Sequence, residues 1–92
     1  MMAEVESVLL ENPMVKDCGV VGVPDEEAGK APCAFVVLRD GNPGSEKSAD
    51  ALRRYVAERL TAYKKPRDVR FVANIPRNFS GKILRRELRK LL

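Results

Sequence analysis

The sequence predicts a single small domain of the α/β (α+β) class, in which a short sheet of about three strands is covered by helices. Three segments carry apolar residues at the spacing of one helix face, and three shorter segments have the composition of strands. The chain has 92 residues, which suits one compact core. None of its apolar runs approaches the roughly 18 residues that a membrane span requires.

The first half of the chain predicts one helix and two strands. A short helix is predicted over Ala3–Glu11, where valines and leucines recur at helical spacing before a proline. Two buried strands are predicted over Asp17–Val23 and Pro32–Arg39, since both runs are apolar and end at turn-forming residues. Pro24–Ala31 lies between them and contains Gly29 and three acids, so we expect an exposed polar connection.

The second half predicts the longest helix, a third strand and a final helix. Glu46–Ala62 has apolar residues at helical spacing, with Ser45 before it as the N-cap. An alternating run over Asp68–Ala73 predicts a strand, and Ile75–Gly81 has the composition of a loop. Helical spacing returns in Lys82–Leu92, so we expect the last helix to begin at the lysine.

Charge is distributed unevenly along the chain. Residues 1–63 contain 7 Lys and Arg against 11 Asp and Glu, whereas residues 64–92 contain 10 against 2. The net charges of the two parts are therefore −4 and +8. A basic segment of this kind attracts phosphate-bearing partners, such as a nucleotide, coenzyme A or a nucleic-acid backbone.

The residue types present exclude several kinds of site. The chain contains no histidine, so it cannot supply a Ser-His-Asp triad, a Cys-His pair or a usual zinc site. Cys18 and Cys33 lie among apolar residues of the predicted strands, which favours small buried core residues over a disulfide. Any chemistry must use lysine, arginine or carboxylates, and no metal site is predicted.

The stretch PRNFSGKILRREL, residues 76–88, places a Gly-Lys pair between a loop and a predicted helix, where backbone N–H groups favour anions. It is not a P-loop, because Ile83 stands where a magnesium-binding Ser or Thr is needed. Lys82 offers a point charge suited to meeting a carboxylate and a phosphate in a transition state. From spacing and composition alone, the alternative that Lys82 only begins a solvated basic helix stays open.

Three stretches resemble the acyl-adenylate-forming superfamily, which includes acyl-CoA synthetases, coumarate-CoA ligases, firefly luciferase and peptide-synthetase adenylation domains. PRNFSGKILRREL is similar to the closing signature of that superfamily. MAEVESVLLENPMVKDCGVVGVPDEEAGKAPCAFVVLRDG resembles the opening of its small C-terminal domain, and YVAERLTAYKKPRDVRFVANIPRNFSGK resembles the later part. The resemblance covers nearly the whole chain in the right order.

The resemblance implies that residues 1–92 are the mobile C-terminal lid domain of an ATP-dependent acid–thiol (acyl-CoA) ligase. Such an enzyme forms an acyl-adenylate from a carboxylic acid and ATP and then passes the acyl group to CoA, with magnesium held mainly by a large N-terminal domain. Lys82 is implied to be the catalytic lysine, which neutralises charge as the carboxylate attacks the α-phosphate. In a second pose, the opposite face of the lid helps to form the CoA tunnel.

Further residues receive expected positions from the same resemblance. The loop near substrate and nucleotide is expected to contain Arg77, Ser80 and Gly81. Contacts with CoA or with the large domain are expected for Tyr63, Lys64, Lys65 and Arg85. The identity of the acid is not encoded here, because the acid pocket of this superfamily belongs to the large domain.

The resemblance also predicts an incomplete enzyme. The chain starts at Met1-Met2-Ala3, already inside the opening motif, so the hinge and the N-terminal ATP- and acid-binding domain are expected to be missing. The chain alone is therefore expected to be inactive and to bind none of ATP, magnesium and CoA. No secretory signal is visible, which predicts a cytoplasmic location.

Two alternatives stay in view. The first is the lid of a peptide-synthetase adenylation domain, whose acceptor is a carrier-protein thiol. The second is a basic nucleic-acid-binding module, because residues 64–92 carry +8. Only Phe71 and Phe79 are interleaved with those charges, which is too little for a stacking platform, so nucleic acid is not predicted as a partner. The predicted partners are the missing N-terminal domain, the carboxylic acid, ATP and CoA.

Overall fold

The computed structural model describes residues 2–61 and 64–92. The elements of these ranges, in chain order, are helix α1 (Met2–Leu10), strands β1 (Val15–Asp25) and β2 (Gly29–Leu38), a 3-10 turn (Arg39–Gly41), helix α2 (Glu46–Arg59), strand β3 (Asp68–Phe71) and helix α3 (Arg85–Arg89). The predicted α/β class and the predicted order of elements are confirmed. No helix in the described ranges is long and apolar enough to cross a bilayer.

The three strands form one mixed sheet in the order β1-β2-β3. β1 and β2 pair antiparallel, with Gly19 opposite Phe35, and β3 runs parallel to β2, with Val69 opposite Ala34. Because side chains alternate between the faces of a strand, each face of β2 contributes to a different core.

α1 and α2 cover one face of the sheet. Val5 and Leu9 of α1 and Leu52 and Val56 of α2 are fully buried against this face. The predicted N-cap of α2 is confirmed: Ser45 accepts a hydrogen bond from the Ser48 N–H. α2 ends at Arg59, not at residue 62 as predicted, because the next residue is already extended (φ −124°, ψ 170°).

The other face is covered by the segment after β3 and by α3. Phe35, Ile75 and Leu88 form its buried cluster together with residues of β1 and β2. Leu88 is the buried residue of the five-residue helix α3, so one leucine anchors that helix to the sheet. Cys18 and Cys33 are buried and free, one in each core, as predicted.

The exposed connection predicted over Pro24–Ala31 is present, since residues 26–30 are exposed, but its predicted bounds are wrong. β1 continues to Asp25 and β2 begins at Gly29, with Pro24 paired to Lys30. The turn is short because the Asp25 carboxylate accepts the Ala28 N–H (2.9 Å) and Gly29 adopts φ +77°. Proline is tolerated here because β1 is an edge strand of the sheet.

The predicted start of the last helix is also wrong, since α3 begins at Arg85 rather than at Lys82. The Asn78 N–H donates to the Lys82 carbonyl (2.9 Å), and the Leu84 N–H donates to the Pro76 carbonyl (2.9 Å). These backbone groups are paired across a loop, so they are not available for a helical turn.

Candidate functional site

The segment between β3 and α3 folds back on itself as a short hairpin, and we call residues 76–84 the lysine loop. Arg77 and Ile83 form an antiparallel bridge at its neck. At its turn, the Gly81 N–H donates to the Asn78 carbonyl (2.9 Å), and Gly81 adopts φ +89°. A side chain would have open space at Gly81, so the glycine is required by its backbone conformation. Phe79 projects from the tip and is fully exposed.

The inside of the lysine loop is organised by the side chain of Asn78. Its Oδ1 atom accepts the Ser80 N–H (3.0 Å), the Ser80 hydroxyl (2.8 Å) and the Lys82 N–H (2.9 Å). These N–H groups are used within the loop, and α3 begins three residues later. The expected anion-favouring backbone at the Gly-Lys pair is therefore absent from the described structure.

Lys82 lies on the return arm of the loop with its side chain exposed. Within residues 2–61 and 64–92, its ammonium has no hydrogen bond or ion pair. The loop therefore has a fixed backbone and an unpaired cation, which is an arrangement that can neutralise negative charge on a ligand presented to it.

Arg77 connects the neck of the lysine loop to strand β1. Its Nη2 donates to Asp17 Oδ1 (2.7 Å), its Nε donates to Asp17 Oδ2 (3.3 Å), and its Nη1 donates to the Gly81 carbonyl (2.6 Å). The hydrogen bond to Asp17 raises the pKa of the guanidinium above its ordinary value. All these contacts are internal, so Arg77 supports the loop on which it was predicted to lie.

Arg85 and Arg89 connect α3 to the N-terminal half of the chain. Arg85 Nη1 donates to Glu6 (2.6 Å) and to the Val20 carbonyl, and Arg89 Nη1 donates to the Gly22 carbonyl (2.7 Å). The hydrogen bond to Glu6 raises the pKa of Arg85. Arg85, expected at CoA or at a domain interface, thus has its guanidinium engaged inside the domain.

The remaining predicted contacts are those of Tyr63, Lys64 and Lys65. Lys64 donates to both carboxylate oxygens of Glu4 (2.9 and 3.1 Å), which lowers the pKa of that carboxyl. Lys65 is exposed and lines a surface cleft beside Arg67, and no residue of the lysine loop lines this cleft. Tyr63 lies outside the described residues. The structure therefore brings Arg77, Ser80, Gly81 and Lys82 together in the lysine loop, whereas Lys64 and Arg85 are engaged by carboxylates of the domain.

Sequence reasoning missed the residues that shape this site. Asn78 had a local signal, because an asparagine two residues before a serine and three before a glycine is typical of a turn closed by the Asn side chain. Asp17 had none, since it lies 60 residues before Arg77. In the described ranges, no group of three or more His, Cys, Asp or Glu side chains could hold a metal ion.

The family model described as the AMP-binding enzyme C-terminal domain matches residues 4–82. The chain belongs to that family. The match ends at Lys82, so the lysine loop up to its unpaired lysine lies within the segment that the family shares.

Individual relatives agree with the family assignment. The chain is 52% identical over 87 residues to the 4-coumarate–CoA ligase-like 9 of Oryza sativa subsp. japonica, covering 95% of this chain and 15% of that protein. It is 47% identical over 91 residues to the acetyl-coenzyme A synthetase of Cupriavidus taiwanensis, covering 96% and 14%. The crystal structure of an acyl-CoA synthetase from Brucella canis superimposes with a TM-score of 0.88 and 42% identity, over 98% of this chain and 17% of that one. The chain thus spans about one seventh of the length of these curated relatives.

Proposed function

We propose that this chain is the C-terminal lid domain of an AMP-forming acid–thiol ligase and that Lys82 is the lysine that promotes formation of the acyl-adenylate. The observation that carries the proposal is the state of Lys82: an exposed, unpaired ammonium at the end of the family-matched segment, on a loop whose backbone is fixed by internal hydrogen bonds. The relatives named as CoA ligases and acetyl-CoA synthetase support the reaction class.

The chemical role follows from charge. When a carboxylate attacks the α-phosphate of ATP, negative charge builds up on the phosphate and on the departing pyrophosphate. An ammonium that meets this charge only in the transition state lowers the barrier, because its electrostatic interaction with the phosphates is stronger there than in the ground state. Lys82 supplies this ammonium, and the exposed tip of the lysine loop lets it enter a site built by another domain.

The other participants belong to the rest of the proposed enzyme. We propose that an N-terminal domain outside this chain binds the carboxylic acid and ATP. The described carboxylates form no cluster that fits Mg²⁺, so no step is assigned here to a metal held by this domain. Lys65 is the best candidate here for a CoA contact, since Lys64 and Arg85 have partners in the domain. Tyr63 stays a prediction, as does the cytoplasmic location.

The proposal is tested in a full-length ligase that carries this domain. This is either the parent polypeptide or a hybrid in which the chain replaces the matching 91-residue segment of the Cupriavidus taiwanensis acetyl-coenzyme A synthetase. Pyrophosphate exchange reports adenylation alone, and thioester formation from supplied acyl-adenylate reports the second half-reaction. Lys82→Ala should lower exchange by about 10²- to 10³-fold and leave thioester formation intact.

Lys47→Ala is the matched control, because Lys47 is an exposed lysine on α2, far along the chain from the lysine loop. It should leave both half-reactions unchanged. If Lys82→Ala behaves like Lys47→Ala, Lys82 is an ordinary surface lysine and the proposal is wrong. The isolated 92-residue chain should show no exchange at all, and measurable exchange by it would contradict the assignment as a lid.

The thiol acceptor is tested separately. We propose CoA, on the strength of the relatives' names, and the alternative is a thiol on a carrier protein. A Lys65→Ala ligase should show a raised KM for CoA with unchanged pyrophosphate exchange. Thioester formation with a pantetheine-bearing carrier protein but not with CoA would favour the peptide-synthetase alternative.

A further inference from the structure

We propose that Asn78 and the Arg77–Asp17 ion pair are positioning residues for Lys82, which hold the lysine loop in the one shape that presents the ammonium for adenylation. The inference rests on the proposed function and adds to it a mechanism of preorganisation. It assigns a role to Asn78 and Asp17, whose side-chain oxygens are used in hydrogen bonds within the domain.

The first step of the argument concerns the backbone of Lys82 itself. Its N–H donates to Asn78 Oδ1 (2.9 Å), and its carbonyl accepts the Asn78 N–H (2.9 Å). One residue therefore fixes both polar groups of the Lys82 backbone. The same Oδ1 also holds the Ser80 N–H and hydroxyl, so a change at Asn78 releases the turn and the lysine together.

The second step concerns the neck of the loop. Arg77 contacts both Asp17 carboxylate oxygens and the Gly81 carbonyl, so a single guanidinium joins the loop to strand β1. Asp17 is held in turn, because its Oδ1 accepts the N–H of the buried Cys18 (2.9 Å). The Arg77 and Asp17 side chains are only 35% and 29% exposed, which shields the pair from solvent more than an open surface ion pair.

The third step separates positioning from folding. The loop is flanked by two buried anchors, Ile75 before it and Leu88 after it, and both pack in the core without help from Asn78. Phe79, Ser80, Gly81 and Lys82 are all exposed. Loss of the Asn78 contacts should therefore leave the domain folded while the loop samples several shapes. A lysine displaced by about 1 Å can lose roughly 100-fold in rate, so the effect should appear in catalysis.

The decisive comparison is Asn78→Ala against Asn78→Asp in the full-length ligase. Alanine removes the acceptor, whereas a carboxylate oxygen of aspartate can accept the same three hydrogen bonds. Asn78→Ala should lower kcat of pyrophosphate exchange by about 10- to 100-fold, with KM for ATP and for the acid within about twofold. Thioester formation from supplied acyl-adenylate should not change. Asn78→Asp should stay within about fivefold of the unsubstituted enzyme.

The ion pair is tested by a double-mutant cycle with Arg77→Ala, Asp17→Ala and the double variant. If Asp17 acts through Arg77, the double variant should lose no more exchange activity than Arg77→Ala does. Asp50→Ala, which removes an ion pair with Arg53 on α2, is the matched control and should leave exchange unchanged.

Lys82→Ala, run in parallel, separates the two levels of the proposal. If Lys82→Ala leaves exchange intact, the proposed function fails and the positioning role falls with it. If Lys82→Ala abolishes exchange but Asn78→Ala does not reduce it, only the positioning role is overturned. Equal losses in Asn78→Ala and Asn78→Asp, or equal losses in both half-reactions, would also overturn it, since they point to something other than the hydrogen bonds to Asn78.

Discussion

Gly19 lies where the two anchors of the lysine loop meet strand β1, and replacing it tests how tightly that contact is packed. A Cβ atom at this position would lie 2.7 Å from Leu88 Cδ1 and 3.3 Å from Ile75 Cγ2. Ordinary contacts begin at 3.4 Å, so Leu88 would have to retreat by about 0.7 Å. Leu88 is completely buried and cannot turn outward into solvent. We therefore expect Gly19→Ala to push α3 away from the sheet.

The expected size of the effect comes from overpacking. Inserting one methyl group into a filled core costs about 1–3 kcal/mol. Gly22 provides the matched control, since it lies on the same strand and the nearest atoms to its added Cβ would be Lys30 Cδ (3.4 Å) and Met2 Cε (3.7 Å), both at ordinary contact distance. Both alanines restrict the unfolded chain to the same degree, by about 0.4–1 kcal/mol in favour of folding. The difference between the two variants thus isolates the overpacking term.

The measurement is urea unfolding of the 92-residue chain, with thermal unfolding as a second readout. For a domain of this size, each kcal/mol corresponds to about 4–8 °C in Tm. Gly19→Ala should be less stable than Gly22→Ala by about 1–3 kcal/mol. Equal stabilities of the two variants would refute the packing argument, because they would mean that α3 moves away from the added methyl without a loss of free energy.

A second substitution identifies the atom responsible. Leu88→Ala removes the group that collides with the new methyl, although alone it should cost about 2–5 kcal/mol through the cavity it leaves. In that background, Gly19→Ala should cost much less than it does in the parent chain. If Gly19→Ala has the same cost in both backgrounds, the Leu88 side chain is not the group that collides with the new methyl.

Two further predictions concern the folded chain. Ser45→Ala should lower the free energy of unfolding by about 0.5–2 kcal/mol, because it removes the N-cap of α2. Ser7→Ala, on the exposed face of α1, should change the free energy of unfolding by less than about 0.5 kcal/mol. Equal effects of the two substitutions in urea unfolding would contradict the role of Ser45 as a cap. Burial raises the pKa of Cys18 from 9.0 to about 12, so iodoacetamide at pH 8 should label this thiol in urea but not in the folded chain. Because the folded pKa is raised, the stability gained from the protonated thiol is complete below pH 9 and is lost as the pH rises toward 12, so the stability advantage of the parent over Cys18→Ala should shrink across that window.

The parts of the fold that were predicted are those set by local pattern. The helical spacing and N-cap of α2, and the apolar runs of β1 and β2, are properties of neighbouring residues, and the structure contains them. The errors occur where a local signal competes with pairing. Pro24 is a turn signal, but at the edge of a sheet its missing N–H is no loss, so β1 continues past it.

The lysine loop shows the same limit at the site. Ile83, Leu84 and Leu88 have helical spacing, yet Ile83 is taken by the bridge to Arg77 and only the residues from Arg85 onward form a helix. The position of Lys82 next to a loop could be predicted from the sequence, whereas the long-range contacts that hold this loop could not. Glu6 and Arg85 are 79 residues apart, and nothing in the local sequence indicates that they meet.

The uneven charge of the chain is explained by these long-range contacts. Of the ten Lys and Arg in residues 64–92, the described structure gives seven a partner inside the domain: Lys64, Arg67, Arg70, Arg77, Arg85, Arg89 and Lys90. Four of these pair with acids of the N-terminal part, namely Glu4, Asp25, Asp17 and Glu6. The segment of +8 and the segment of −4 therefore compensate each other in part across the fold and leave a net charge of +4, which weakens the argument for a nucleic-acid-binding surface. Within the described ranges, the residues without partners are Lys65, Lys82 and Arg86. Of these three, only Lys82 lies on a loop in which a side chain, that of Asn78, accepts a hydrogen bond from its backbone N–H.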